Sequence, residues 1–427
     1  MSIKTTTAVT AAKVTRALLK LMNRGASALP GKVAMKIDSD ILSSLSENTK
    51  FVFVTGTNGK TMTTSFITNI FRNYFDNVIT NDSGANMIQG IVTSLIDNKN
   101  SKSAVAVIEV DEANLRIIAD YIQPDYIVLT NLFEDQLDRF KSVDNVLNII
   151  LDGIKKCPNA KIIANGDLPL FAQEKVRSLN PIYYGVDYRS ANKEKVTCPQ
   201  CGSELKYDYF TYAHLGKFKC ENCSLESPQK DYTITEVLDL KPKSAKINIE
   251  GDIFDLNVGG IYNVYNAIAA WAVACEMGVE FEALSKGLKV QGNLDGRQEV
   301  FDYKGKKVVI NLIKNKVGAN LILDLLSLDK DDYALYILIN NAYADGKDVS
   351  WIEELNYDKL KENNHIDNIK ISGAKRDYLA EVLTKNGFEF KSFETLEDLQ
   401  NEIENEEKQK VNVIANYTAM DTFRKMF

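Results

Sequence analysis

Histidine is almost missing from this chain. His214 and His365 are the only two among 427 residues, so nucleophilic catalysis built on an in-chain Ser-His or Cys-His pair has very little to work with. Long apolar runs are missing too: none reaches the about 18 residues of a membrane-spanning helix, and the N-terminus shows no apolar stretch ending at a small-residue cleavage site. The expectation is a cytoplasmic protein, neither membrane-spanning nor secreted, in which six cysteines do not read as a disulfide framework. Acidic residues are absent from positions 1–36, which carry Lys4, Lys13, Arg16, Lys20, Arg24, Lys32 and Lys36. With a net charge of −7 overall, the other 391 residues therefore hold −14.

What is present describes a folded chain. Hydrophobic residues make up 45% and charged residues 26%, the balance of a globular protein rather than a disordered one, and the length allows roughly two to four domains. Residues 8–22 place Val14, Leu18, Leu21 and Met22 on one helical face and Lys13, Arg16 and Lys20 on another, followed by Arg24. This basic amphipathic segment, residues 1–48, reads either as a surface helix packed on the body or as a contact with an anionic membrane surface.

From Phe51 the apolar runs FVFVT, AVAVIEV, YIVLT and KIIAN alternate with helical stretches, including residues 60–73 and 143–155. That rhythm means βαβ units and a mostly parallel sheet. It stops near residue 190, where a polar, Cys-bearing stretch to 229 reads as an insertion. The short strands TITEV, SAKINIE and DIFDLNV and a helix from Tyr262 to Met277 then close a central domain, residues 49–295. A new βα rhythm (KKVVI, YALYILI, NIKIS, VNVIANY) predicts a smaller α/β domain over 296–427, and NEIENEEKQK, residues 401–410, reads as a solvated helix end.

Gly56-Thr57-Asn58-Gly59-Lys60-Thr61 lies between a buried strand and a helix, the context that separates a phosphate loop from a chance Gly-Lys-Thr. Glycines let backbone N–H groups turn towards phosphate oxygens, the helix N-terminus adds positive dipole, Lys60 supplies a point charge, and the Thr61 hydroxyl can ligate Mg²⁺. ATP is the expected ligand. Glu109 ends a strand at the carboxyl edge of the parallel sheet, where a carboxylate suits a hard cation.

Cys198-Pro-Gln-Cys201 and Cys220-Glu-Asn-Cys223 stand 18 residues apart, the spacing of a tetrahedral four-cysteine zinc ribbon. Four thiolates close the coordination shell, so such a zinc is structural and His214 is surplus to it. Residues 190–230 mix Lys with Glu and Asp, so the electrostatic footprint of a nucleic-acid partner is missing.

The wording Gly-Thr-Asn-Gly-Lys-Thr resembles that of the Mur ligase superfamily, ATP-dependent enzymes that activate a carboxylate as an acyl phosphate. Further matches follow in order: Ile108-Glu109-Val110-Asp111-Glu112, Thr130-Asn131 through Asp138, Ala164-Asn165-Gly166-Asp167-Leu168-Pro169, Tyr262-Asn263-Val264-Tyr265-Asn266-Ala267 and Gly296-Arg297-Gln298-Glu299. The resemblance implies a Mur ligase-type central sheet, Mg²⁺ on Glu109 and Thr61, adenine facing Asn263 and Asn266, and nucleotide contact near Arg297. It departs at Gln136, where many members have a metal-binding His, and at Leu151, where several have a modified lysine, so a second metal is not expected.

The inserted cysteine pairs, the short N-terminal segment and the wording of Leu29–Asp38 and Asn341–Trp351 narrow the likeness to the ligase-like subunits of the lipid II isoglutaminyl synthases. What this implies is ATP-dependent amidation of the D-glutamate α-carboxylate in the lipid II stem peptide, with ammonia supplied by a glutaminase subunit, GatD. An aspartate presented to the partner's Cys-His pair follows from the same likeness, and Asp348 is preferred over Asp345 because Val349-Ser350-Trp351 reads as an apolar docking surface. Read without the likeness, either aspartate caps a helix. An amino-acid-adding ligase such as folylpolyglutamate synthase and a non-catalytic nucleotide-binding scaffold are the competing readings.

Overall fold

The computed structural model describes residues 2–22, 27–81, 85–98, 104–134, 141–190, 194–289, 297–342, 345–346 and 348–426. The apolar runs form strands buried on both faces, as parallel strands covered by helices must be. β1 (Thr49–Thr55), β2 (Val78–Thr80), β3 (Ala104–Glu109), β4 (Tyr126–Leu129), β5 (Lys161–Asn165) and β6 (Ile182–Val186) pair parallel. The insertion makes its own two-stranded ribbon, β7 (Leu205–Tyr212) and β8 (Leu215–Cys220). β9 (Tyr232–Leu240) then rejoins parallel to β6, and β10 (Ala245–Ile249) and β11 (Asp252–Leu256) follow antiparallel. The order is β11-β10-β9-β6-β5-β4-β1-β3-β2. The chain leaves β1 towards β3 on one side and returns at β4 on the other, which opens a crevice at their carboxyl ends, the place where α/β sheets hold ligands.

β2 and β6 were not legible as strands. β2 is a three-residue edge, and β6 is built on Ile-Tyr-Tyr-Gly-Val, where a glycine interrupts the apolar run. Gly185 is forced: a Cβ there would lie 2.5 Å from an Asp167 carboxylate oxygen.

The second sheet runs β12-β13-β17-β14-β15-β16, from β12 (Arg297–Tyr303), β13 (Lys306–Leu312), β14 (Tyr333–Leu338), β15 (Ile366–Ser372), β16 (Lys391–Ser392) and β17 (Lys410–Ala415). All but β12 pair parallel, and separate apolar clusters cover the two faces. The acidic stretch 401–410 is not wholly solvated. Glu406 is buried, accepts from the Lys370 ammonium, and its carboxyl is held below the usual range because Lys370 and backbone N–H groups outweigh burial, the largest opposing influence.

At the N-terminus α1 (Ile3–Leu21) starts earlier than expected, because the Ser2 hydroxyl accepts from the Thr5 N–H and caps it. It packs on α2 (Leu29–Ile37) and α5 (Ile88–Asn98), here numbered after α3 (Ile41–Ser46) and α4 (Lys60–Arg72). The face that packs is not the expected one. Thr5, Ala8 and Ala12 are buried, since small side chains let two helices approach closely, and Val14, Leu18, Leu21 and Met22 stand exposed. Among the described residues no helix is long and apolar enough to cross a membrane.

Candidate active site

β1 delivers the chain to the centre of the crevice and α4 carries it away, so residues 56–59 must turn sharply. Gly56 has φ 133° and a Cβ there would meet the Thr130 hydroxyl at 2.2 Å; Gly59 has φ 86° and a Cβ would meet the Asn266 amide oxygen at 2.4 Å. Only glycine fits either place. The loop hangs from the segment after β4. Thr57 N–H donates to the Asn131 carbonyl (2.8 Å), Asn58 N–H to the Asn131 side-chain oxygen (3.0 Å), and the Thr130 hydroxyl to the Asn58 carbonyl (2.8 Å). The Thr57 hydroxyl exchanges hydrogen bonds with the Phe133 backbone.

Lys60 opens α4 and pairs with Glu112 at 2.8 Å. Burial pulls its pKa down, but Glu112, Glu109 and Asp111 more than offset this and hold it above the ordinary lysine value, so the ammonium stays charged. Glu109, the last residue of β3, is buried and clamped: its backbone exchanges hydrogen bonds with the Asn81 side chain (both 2.9 Å), and Asn86 donates to its carboxylate at 3.1 Å. Thr61 stands half-buried one residue into α4.

On the opposite wall the helix Ile261–Glu276 presents Asn263 and Asn266, both buried. Asn266 donates to Asn263 at 3.2 Å and accepts from Thr63 of α4 at 3.2 Å. The second domain closes the cavity with Leu312 at the end of β13, Lys314 after it and Leu321 of the helix Lys316–Ser327, and Asn315 exchanges long hydrogen bonds of 3.4 and 3.5 Å with Asn58. Beneath, Asp167 is fully buried with Lys230 at 2.9 Å, the Tyr265 hydroxyl at 2.7 Å and the Val186 N–H at 2.8 Å. Burial raises its carboxyl pKa despite Lys230.

The four cysteines gather. Their Sγ atoms all lie within 4.8 Å of one another, with Cys198–Cys223 at 3.6 Å and Cys201–Cys220 at 3.5 Å. Sulfurs about 2.3 Å from a central zinc would stand about 3.8 Å apart, so the cluster fits a tetrahedral ion. Hydrogen bonds to Ser203 pull the exposed Cys201 thiol down to about 6. His214 is not among them; it sits at the other end of the β7/β8 hairpin, its ring edge-on to Phe133 at 5.1 Å.

In the second domain Asp345 and Asp348 part company. Asp345 accepts from the Thr418 N–H (2.7 Å) and the Ala342 N–H (3.1 Å), tying its loop to the C-terminal helix. Asp348 is exposed, accepts from the Ser350 N–H (2.8 Å), and is held below the usual carboxylate range by the Ser350 side chain and backbone. The expected docking surface is not there: Val349 is buried and Trp351 packs half-buried on the domain core, because the following 3-10 turn aims both inward. Arg297 begins β12, but its side chain, Gly296 and Gln136 lie outside the described residues. Leu151 is a core residue of the helix Val143–Ile154. Glu112, Asn131, Asn81 and Asn86 were not singled out from the sequence; the first two sat inside recognised motifs, whereas the Asn pair carries no local signal.

A phosphate loop hung on a doubly wound sheet and facing a second α/β unit is the architecture of the Mur ligases. The Mur ligase middle domain matches residues 54–274, and a pseudomurein peptide ligase type C from Methanothermus fervidus shares the fold, with TM-score 0.69, 22% identity, and coverage of 91% of this chain and 80% of that one. The MurT ligase C-terminal domain matches residues 312–420. Similar curated proteins are the lipid II isoglutaminyl synthase (glutamine-hydrolyzing) subunits MurT of Streptococcus pneumoniae strain R6, 39% identical over 100% of this chain and 97% of its own length, and of Staphylococcus aureus strain COL, 33% identical over 87% and 86%. The chain belongs to the MurT family of the Mur ligase superfamily.

Proposed function

We propose that this chain is the synthetase subunit of a lipid II isoglutaminyl synthase. The observation that carries the reading is similarity over 100% of this chain to a protein of that name, together with a glycine loop whose Thr57 and Asn58 N–H groups are both held by Asn131. The reaction begins with transfer of the ATP γ-phosphoryl to an oxygen of the D-glutamate α-carboxylate of the stem peptide, leaving ADP and an acyl phosphate. Ammonia from the glutaminase subunit, GatD, then attacks the acyl carbon with its nitrogen lone pair, phosphate departs, and an excess proton is released, giving D-isoglutamine.

In this reading the backbone of Gly56–Thr61 and the Lys60 ammonium hold the phosphates, Asn263 and Asn266 face the adenine, and Arg297 contacts the nucleotide from the second domain. Glu109 and Thr61 hold Mg²⁺, which when bound neutralises charge on the transferring phosphoryl. The cluster of Cys198, Cys201, Cys220 and Cys223 holds a structural zinc. Asp348 orients a histidine of the partner's glutaminase site, supported by its exposure and its persistent negative charge. The working domain division remains 49–295 with the ribbon at 190–229, then 296–427. We place the protein in the cytoplasm, with the exposed apolar face of α1, flanked by Lys13 and Lys20, against the anionic inner surface of the membrane that carries its substrate.

The test is reconstitution with a glutaminase subunit, lipid II, ATP and glutamine. Mass spectrometry should show one stem-peptide carboxyl converted to a carboxamide, with glutamine replaceable by ammonium salts. Transfer of a free amino acid instead would establish the amino-acid-adding reading, and absence of substrate-dependent ATP hydrolysis the scaffold reading.

A further inference from the structure

A second cleft, of about 250 Å³, opens between the two domains, and its lining includes no residue of the glycine loop. On one side stands the turn between β9 and β10, residues 241–244; on the other stand alternate residues of β13 and β17. Lys307 pairs with Lys410 and Val309 with Asn412 across these parallel strands, so Lys307, Asn311, Lys410 and Asn412 share one face of the sheet. Two asparagines are out of place in such a core. Asn311 is 1% and Asn412 2% exposed, and both polar atoms of the Asn311 amide and the Nδ2 of Asn412 find no hydrogen-bond partner among the described residues. A buried donor left unmade costs stability that an apolar residue would not. Asn311 also borders the nucleotide cavity, whereas Asn412 does not.

The charges are as uneven as the amides. Lys410 pairs with Asp329 at 2.5 Å and Asp331 at 2.9 Å, and Lys241 with Asp239 at 2.6 Å. Lys243 of the turn and Lys307 of β13 form no ion pair among the described residues, yet they line the same cleft from opposite domains. Burial, then the positive charges of Lys307 and Lys410, hold the Lys243 ammonium below the ordinary lysine value, with Asp329 opposing. The turn cannot back away: a Cβ on Gly259 would lie 1.9 Å from the Lys241 carbonyl oxygen, so chain packs directly behind it. Two uncompensated ammonium groups beside an unpartnered amide donor are the donor set of an oxyanion site, since phosphate oxygens accept from both.

We infer that this cleft binds a phosphate group between the domains, held by Lys243 from the central domain and by Lys307 and Asn412 from the second. Inorganic phosphate and the diphosphate of a larger molecule offer the same oxygens. This binding is independent of the reaction proposed above.

Calorimetric titration of the full chain tests it, at constant ionic strength and with the glycine loop occupied by a non-hydrolysable ATP analogue, using inorganic phosphate and pyrophosphate as probes. Wild type should bind one phosphate per chain and melt at a higher temperature in its presence. Lys243→Gln and Lys307→Gln should each bind about ten- to a hundredfold more weakly, the effect of one charge-assisted hydrogen bond. Asn412→Leu should bind about tenfold more weakly. Its melting temperature without phosphate should nevertheless equal or exceed that of wild type, which a merely structural asparagine would not allow. Lys206→Gln, which removes one exposed charge from the ribbon, should bind as wild type. Pyrophosphate binding tighter than phosphate assigns the cleft to a diphosphate-bearing ligand, and equal or weaker binding assigns it to the free ion; either supports the site. Absence of phosphate binding, affinity unchanged in both lysine variants, or an equal loss in Lys206→Gln overturns it. Failure of the analogue to bind would count instead against the nucleotide reading.

Discussion

Lys60 and Glu112 pair at 2.8 Å at the loop, and in the proposed reading the buried ammonium, ringed by Glu112, Glu109 and Asp111, exchanges carboxylate for phosphate oxygens when nucleotide binds. Lys60→Ala should lower ATP-dependent turnover on the order of 10² to 10³-fold, as loss of one preorganised charge stabiliser does elsewhere. The melting temperature of that variant should stay near wild type, since α4 keeps its buried face. In the proposed reading Asp348 serves a different reaction, the partner's glutamine hydrolysis. Asp348→Asn should leave the complex assembled and ammonium-dependent synthesis intact while glutamine-dependent synthesis falls by up to about 10⁴-fold. Loss of co-purification with the glutaminase would make Asp348 a docking residue, and full activity would remove it from the partner's site. At this scale the sequence was informative wherever chemistry is written in residue type, as in the loop, Glu109 and the cysteines. It was silent on partners that only folding brings together: Asn81 lies 28 residues from Glu109, and Lys230 meets Asp167 across the insertion.

The elements most legible were the ones buried on both sides, such as β1 and β3, where Phe51–Val54 and Ala104–Ile108 form unbroken apolar runs. α1 was legible as a helix but not in its orientation, because period alone cannot tell a small-residue face that packs from a large-residue face left outside. The ribbon yields two predictions. Metal analysis should find about one zinc per chain, and Cys220→Ser should release it and lower the melting temperature, because Cys220 is also a member of the ribbon's small apolar core with Phe218 and Leu225. A zinc-free chain of unchanged stability would refute the assignment. The second concerns His214, whose burial depresses its pKa from 6.5 to about 4. The unfolded imidazole binds a proton at the higher pH and the folded one does not, so its stabilising contribution is complete above about 6.5 and is lost as pH falls towards 4. The melting temperature of wild type should therefore drop more steeply over that interval than that of His214→Gln; parallel curves would show that His214 titrates freely.

For the whole molecule, the candidate functional residues converge because successive strands end at one level. Val54 pairs with Glu109 and Thr55 with Leu129, and Leu129 in turn with Ala164, so the phosphate loop, the candidate metal carboxylate, Asn131 and Asn165 all begin where β1, β3, β4 and β5 stop. That alignment makes the centre far less tolerant of a change in length than of a change in side chain. Removing one residue from β3 would turn Glu109 to the opposite face of the sheet and draw it back by about 3.3 Å, since side chains alternate along a strand. Deleting Val107 should abolish ATP-dependent activity even where the protein remains soluble, whereas deleting Gly251, in the turn between β10 and β11 at the far edge, should be accommodated with activity largely kept. Purified variants assayed for turnover and secondary-structure content would decide this, and an active Val107 deletion would show that β3 can re-pair. Over evolutionary time, then, insertions should collect at the sheet's outer strands and in the ribbon, and the four central strands should keep their residue count while their composition drifts.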